Sequence, residues 1–323
     1  MRKFQKALET LQQLSPEDRP RRPRQTGQPD PSVETSLGRN GMADASMSSF
    51  ETLDRHQKGG IRLPRASKVG RQLHVDRGEL IRMGLFPGAD VERVIQQQFR
   101  RIKLPLVQTA FAMGAPAEEH ANVIMIASDM PGAGKSFCSL NLAESIAMER
   151  DVGAILVDAD VVKPGISEAL GLHEEPGLTD YIIDPGVRLE DIMVPTDLGG
   201  LTVIPSGRRH SQSTELLASR RMQDLVFSLS RDFSSHVTIF DSPPLLLTSE
   251  AQVLARIVGQ VVLVIESRVS SQESVARALD LLDRRKPINA IFNKSRRGDS
   301  GAYSSGQYAY HPYWSDSDES RSE

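Results

Sequence analysis

The sequence predicts an α/β protein built on a mostly parallel β-sheet flanked by helices. Three observations carry this. Six short aliphatic runs recur between residues 123 and 294 without alternating with polar residues, the pattern of strands covered on both faces. Stretches suited to helices separate most of them, and the order β, α, β, α calls for crossovers between parallel strands. A glycine-rich turn, PGAGKS, follows the first run.

In chain order, a helix over about 88–112 precedes the first strand, VIMIAS (123–128). The helix that leaves the glycine-rich turn covers 136–149. GAILVDA (153–159) and LTVIPS (201–206) are the next strands, and a helix over 213–231 follows them. HVTIFDS (236–242), a helix over 248–257, QVVLVIE (260–266), a helix over 271–285 and INAIFNK (288–294) complete the pattern.

Composition divides the 323 residues into three parts. Residues 1–65 contain RPRRPRQTGQPDPS and GRNGMADASMSS, too poor in apolar side chains to offset the entropy of ordering, so a mostly disordered, polar and basic region is expected. Within it Phe4, Ala7, Leu8, Leu11 and Leu14 share one face of a short amphipathic helix. Residues 66–297 carry the strand and helix pattern. Residues 298–323 have no Val, Ile, Leu, Met or Phe and five acidic residues against one basic, a net of −4. Four of the five tyrosines, Tyr303, Tyr308, Tyr310 and Tyr313, gather there beside Trp314. A flexible acidic tail is expected, with tyrosines that serve something other than packing.

The formal charge of −3 gives no electrostatic footprint for nucleic acid. The single cysteine, Cys138, rules out an internal disulfide and fits a reducing compartment. No run approaches the roughly 20 apolar residues that span a bilayer, and MRKFQKALETLQQLS lacks the apolar centre of a signal peptide. A soluble cytoplasmic protein is the expectation.

The chemistry starts at SDMPGAGKSF. Pro131, Gly132, Ala133, Gly134, Lys135, Ser136 and Phe137 cover the second half of GxxxxGK[ST]. In that motif small residues let backbone N–H groups close around phosphates, the lysine reaches the terminal phosphates and the hydroxyl binds Mg²⁺. With a strand before it and a helix after it, the motif predicts a P-loop NTPase-like fold using ATP and Mg²⁺, although Asp129 stands at the first glycine position. ILVDADVVKP places Asp158 and Asp160 at one strand end, and VTIFDSPP places Asp241 at another. Ligands bind at that edge of such sheets. Mg²⁺ keeps several waters, so Ser136 with water-mediated aspartates suffices. Asn293, ending the last strand, either contacts the nucleotide base or forms a turn. Arg296 stands where a guanine-reading NKxD has its aspartate, which favours ATP.

Together PGAGKS, VDADVVKP, FDSPP, IPSGRRHSQSTELLAS and the terminal tyrosine cluster resemble the bacterial tyrosine kinase family (BY-kinases) over about residues 75–313. Within that family the chain looks most like the exosortase-associated exopolysaccharide tyrosine autokinases. The resemblance implies that Lys135 and Ser136 hold phosphates and metal, that Asp158 accepts the tyrosine proton, and that Asp160 and Asp241 support the metal. It implies autophosphorylation at Tyr303, Tyr308, Tyr310 and Tyr313 and a role in exopolysaccharide polymerisation and export. The implied partners are further copies of the chain, with a ring as one form, a transmembrane polysaccharide co-polymerase that recruits it to the inner membrane, and a tyrosine phosphatase.

Two departures from the family pattern stand out. Val162 occupies the place of a common arginine, with Lys163 next to it, and the assembly motif ExxRxxR becomes Gln97, Arg100 and Lys103. Glutamine makes no ion pair and lysine lacks arginine's fork, so assembly through this surface is expected to be weaker. The pairs Arg208–Arg209, Arg284–Arg285 and Arg296–Arg297 are either anchors for an acidic tail or solvated surface. A second function class, the MinD/ParA-like ATP-switched assembly proteins, shares the scaffold. Those proteins carry KGGxGK[ST], and here Met130 takes the place of its first lysine. A third is a regulator that binds ATP and the co-polymerase, with catalysis incidental.

Overall fold

The computed structural model describes residues 72–112, 120–210 and 212–295. The expected tails, including the segment 1–15 and Tyr303, Tyr308, Tyr310 and Tyr313, lie outside the described residues, as do Arg296 and Arg297. The elements run α1 (Arg77–Arg82), α2 (Glu92–Ala110), β1 (Val123–Ser128), α3 (Lys135–Ala147), β2 (Gly153–Asp158), α4 (Gly165–Ala169) and α5 (Leu178–Ile183). A 3₁₀ turn at Leu189–Asp191 leads to β3 (Val194–Pro195), β4 (Leu201–Ile204), α6 (Ser213–Leu217), α7 (Arg220–Arg231) and β5 (His236–Asp241). Then come α8 (Ser249–Ile257), β6 (Gln260–Glu266), α9 (Gln272–Asp280) and β7 (Ile288–Asn293).

The strands form one sheet in the order β3-β4-β2-β5-β1-β6-β7. Every pairing is parallel except β3 with β4. β1 sits between β5 and β6 and is buried along its whole length. Its alternate residues serve two cores. Val123, Met125 and Ala127 face one side with Leu225 and Leu229 of α7 and Leu254 of α8. Ile124 and Ile126 face the other, with Leu80 of α1, Leu106 of α2 and Leu140 and Ile146 of α3. The period of two in a strand thus explains why its aliphatic run has no polar alternation.

All six expected strands are present, each ending within two residues of its sequence-derived limit. The helix expected over 213–231 is two helices. Ser219 takes an extended conformation and its side chain accepts from the Met222 N–H, capping α7, so a local capping bond wins over continuous periodicity. The helix expected over 271–285 ends at Asp280. The short elements α1, α4, α5 and β3 went unread, being too brief to show a period. α1 is capped by Asp76, whose side chain accepts from the Glu79 N–H.

The segment before β1 is fastened at two places. Leu73 pairs in parallel with Thr196 beside β3, and the His74 Nδ1 lies 2.6 Å from Asp197 Oδ2. Arg77 reaches the buried Glu144 of α3 at 2.5 Å and lies over the Phe86 ring. Among the described residues no helix is long and apolar enough to cross a membrane.

Candidate active site

The parallel register brings the candidate residues to one edge. Asp158 at the end of β2 is the register partner of Asp241 at the end of β5, and Ile126, two residues before the end of β1, also pairs with Asp241. The glycine-rich turn leaves β1 at this edge and enters α3, a helix of 13 residues whose partially positive N-terminus faces the turn. Gly132 and Gly134 have φ of 83° and 92°, values at which a side chain is strained. At Gly134 a Cβ would also collide with the Asn293 amide.

Lys135 is buried, and its Nζ donates to Ser128 Oγ at 3.2 Å. Burial lowers its pKa, while Asp241, Asp160 and Asp129 act against that shift. The Ser136 hydroxyl donates to Asp241 Oδ2 at 2.6 Å, and Ser139, one helical turn later, donates to Asp241 Oδ1 at 2.9 Å. Burial nevertheless pushes the Asp241 carboxyl up to about 6. Asp160 is half-buried, accepts from the Lys163 N–H at 3.0 Å and is likewise shifted upward, chiefly by burial.

Asp158 is completely buried. Its Oδ2 accepts from both the Ser167 N–H at 2.8 Å and the Ser167 hydroxyl at 2.7 Å, while its Oδ1 has no partner. Desolvation, with the Asp241 charge second, pushes this carboxyl up to about 8. The Ser167 hydroxyl also accepts from the Ser206 N–H at 3.0 Å, tying α4 to the loop after β4. Because Asp158 is fully covered, a tyrosine hydroxyl meets it only if that cover moves or a water intervenes.

Ser136 Oγ, Asp241 and the half-buried Asp160 supply only oxygen donors, and a buried carboxylate pair beside one lysine is short of positive charge. That donor set fits a hard divalent cation such as Mg²⁺.

The remaining sequence-derived residues divide. Pro131 and Gly132 are exposed at the turn and Ala133 is buried in it. The Phe137 ring packs with Phe99 of α2, centroids 6.1 Å apart, so only its backbone belongs to the turn. Asn293 donates to the Ala133 carbonyl at 2.8 Å, which makes it a support of the turn in this structure. Asp129, the departure from the motif, is buried and accepts from Ser270 Oγ at 3.0 Å and Ser274 Oγ at 2.7 Å.

Lys103 does not share a solvated face with Gln97 and Arg100. It is buried, donates to the Ser145 carbonyl at 2.7 Å and pairs with Glu149 at 2.5 Å. Its ammonium holds α2 on α3, because a helix residue that packs inward needs an internal partner for its charge. Arg208 pairs with the buried Asp180, Arg209 with Glu168, Arg284 with Asp280 and Arg285 with Asp283. Ser139, Ser167 and the serine pair on Asp129 were missed, since a serine carries no distinctive sequence signal. For Ser139 the spacing of three from Ser136 was the available clue.

No protein-family model matches the chain. The tyrosine-protein kinase YwqD of Bacillus subtilis is 28% identical over 233 residues, 72% of this chain and 94% of YwqD. The chain is related to the bacterial tyrosine kinases. The kinase Wzc of Salmonella typhimurium is 29% identical over 198 residues, 61% of this chain. That stretch spans only 27% of Wzc. Among solved structures, the VpsO kinase domain superposes with a TM-score of 0.53 at 27% identity, over 65% of this chain and all of that domain. The Escherichia coli tyrosine kinase ETK domain gives 0.52 at 25%, over 62% of this chain and 77% of that one. The relationship to tyrosine kinases agrees with the resemblance read from the motifs.

Proposed function

We propose that the chain is an ATP- and Mg²⁺-dependent tyrosine autokinase that phosphorylates Tyr303, Tyr308, Tyr310 and Tyr313 and regulates exopolysaccharide polymerisation and export. The observation that carries it is a phosphate loop beside a buried carboxylate, Asp158, with one oxygen held by Ser167 and the other unpartnered. In the proposed roles, loop N–H groups and Lys135 grip the phosphates, while Ser136 and Asp241, with Asp160, hold Mg²⁺. Bound Mg²⁺ offsets charge on the phosphate oxygens. Ser167 fixes Asp158 so that Oδ1, through an intervening water or once its cover has moved, takes the proton as the tyrosine oxygen attacks the γ-phosphorus. The leaving ADP carries away the electron pair of the broken bond. A phenol with pKa near 10 gains from such a base, though positioning and charge neutralisation lower most of the barrier.

The test is mass spectrometry of the full chain incubated with Mg²⁺ and ATP. Phosphate on the four tail tyrosines supports the proposal. ATP hydrolysis without tyrosine phosphate, even with candidate membrane partners supplied, replaces it with the ATP-switch reading. Transfer is proposed to run between copies, because a tail of about 25 residues reaches a neighbour's site. Mixing a Lys135→Ala chain with one lacking the tail tyrosines should then place phosphate on the Lys135→Ala chain, and none there would exclude transfer between copies.

The proposed setting is the cytoplasmic face of the inner membrane, with a transmembrane polysaccharide co-polymerase as activator and a tyrosine phosphatase as the reversing enzyme. Ser139→Ala removes one of the two hydroxyls that orient Asp241. It is expected to raise the Mg²⁺ concentration for half-maximal activity about tenfold, as loss of a partner behind a metal-supporting carboxylate does. An unchanged Mg²⁺ titration would show that Ser136 alone suffices.

A further inference from the structure

We infer that Lys294 and Asn293 are positioning residues that set the phosphate loop for nucleotide by orienting two of its peptides. This deepens the nucleotide-binding half of the proposed function and rests on that half. The Nζ of Lys294 donates to the Gly132 carbonyl at 2.6 Å, and the Nδ2 of Asn293 to the Ala133 carbonyl at 2.8 Å. In a trans peptide the C=O and the following N–H point in opposite directions. Drawing these two carbonyls toward the end of β7 therefore turns the N–H groups of Ala133 and Gly134 away from it, into the loop. Both carbonyls lie beside glycines at positive φ, where the backbone has the most alternatives to choose among.

The two side chains are themselves fixed. Lys294 Nζ also pairs with Glu266 Oε1 at 3.0 Å. The Ser267 N–H donates to the Asn293 carbonyl at 2.9 Å, tying the end of β7 to the end of β6. Lys294 has φ of 57°, uncommon for a residue with a side chain, and this left-handed turn stands where the strand ends. Such a conformation persists where surrounding contacts determine it, and here the contacts are those to the loop. The space that a Gly134 side chain would need is filled by the Asn293 amide, so glycine and asparagine fit as a pair.

The experiment measures ATP and ADP binding to the full chain with Mg²⁺ by calorimetry, for Lys294→Met, Lys294→Arg and Asn293→Ser. Lys294→Met and Asn293→Ser should each weaken both nucleotides about tenfold, the loss of one such hydrogen bond, and by similar factors for the two ligands. Lys294→Arg, which keeps a donor, should stay within about threefold. KM for ATP should rise in parallel, with kcat changed less than about twofold, and nucleotide-free thermal stability should hold. Unchanged affinity in both variants overturns the inference. A loss confined to ATP overturns it too, because it would mean direct contact with the terminal phosphate, and so does a matching loss of nucleotide-free stability. Nucleotide binding in the expected order without any tyrosine phosphate would uphold the inference and remove the kinase reading, so the two can fail separately.

Discussion

Lys135→Met is expected to reduce tyrosine phosphate on the chain by at least about a hundredfold while leaving it folded. The ammonium is the one cation that faces Asp241, Asp160 and Asp129 together in the described site, and it stands where the terminal phosphates are proposed to lie. Methionine keeps the length of the side chain and removes the charge. Loss of one preorganised charge at a reacting phosphate or oxyanion costs about a hundredfold or more. Some stability should be lost too, because three carboxylates lose their shared cation. Burial costs the ammonium itself, however, and already holds Asp241 and Asp160 toward their protonated forms, so the chain should stay folded. The measurement is the initial rate of phosphotyrosine formation by mass spectrometry, beside a thermal melt. A residual rate above about a tenth of the original would remove Lys135 from the proposed role.

Asp158→Asn should separate activity from stability. As a general base the carboxylate contributes about a hundredfold to ten-thousandfold, so phosphorylation should fall by that order. The folded-state pKa of about 8 lies above the ordinary carboxylate value of 3.8. The folded chain therefore holds a proton that the unfolded chain releases. This group's contribution to stability is fully present below about pH 4 and is lost as pH rises through 8. Asparagine does not titrate, so the substituted chain should be relatively more stable at pH 8 and its stability should vary less with pH. Its amide oxygen can keep both Ser167 donors, and the amide nitrogen falls where Oδ1 has no donor to lose. In the unsubstituted chain kcat/KM for ATP, which reports the free enzyme, should rise with pH toward 8. A loss of activity accompanied by equal destabilisation at pH 8 would assign Asp158 a structural role only.

The sequence was most legible where one residue type has one physical use. Uninterrupted aliphatic runs marked the strands because parallel strands are covered on both faces, and glycines at 132 and 134 marked the loop because the backbone there takes positive φ. Asp158 and Asp241 were readable because each ends such a run and the parallel register places them side by side. What stayed hidden depends on distant parts of the chain. Ser167 matters through its bonds to Asp158 and Ser206, and nothing around it in sequence announces them. Lys103 read as surface because charged residues usually are, yet its helix turns it onto Ser145 and Glu149. Asn293 read as a base contact or a turn, and its bond to the Ala133 carbonyl required the loop's position in space.

The aspartate at the first glycine position makes the start of the turn depend on a distant part of the chain. Asp129 is 1% exposed, and its carboxylate depends on Ser270 and Ser274, both half-buried, more than 140 residues later. A serine at either place is tolerable by itself, because a half-buried hydroxyl can turn to water or to a nearby carbonyl, as Ser274 does toward Ser271. A buried carboxylate that loses both donors keeps only the shared Lys135 charge, and a buried charge short of partners is destabilising. Replacing both serines should therefore cost more stability than the two single replacements added together, and Asp129→Asn should recover part of that loss.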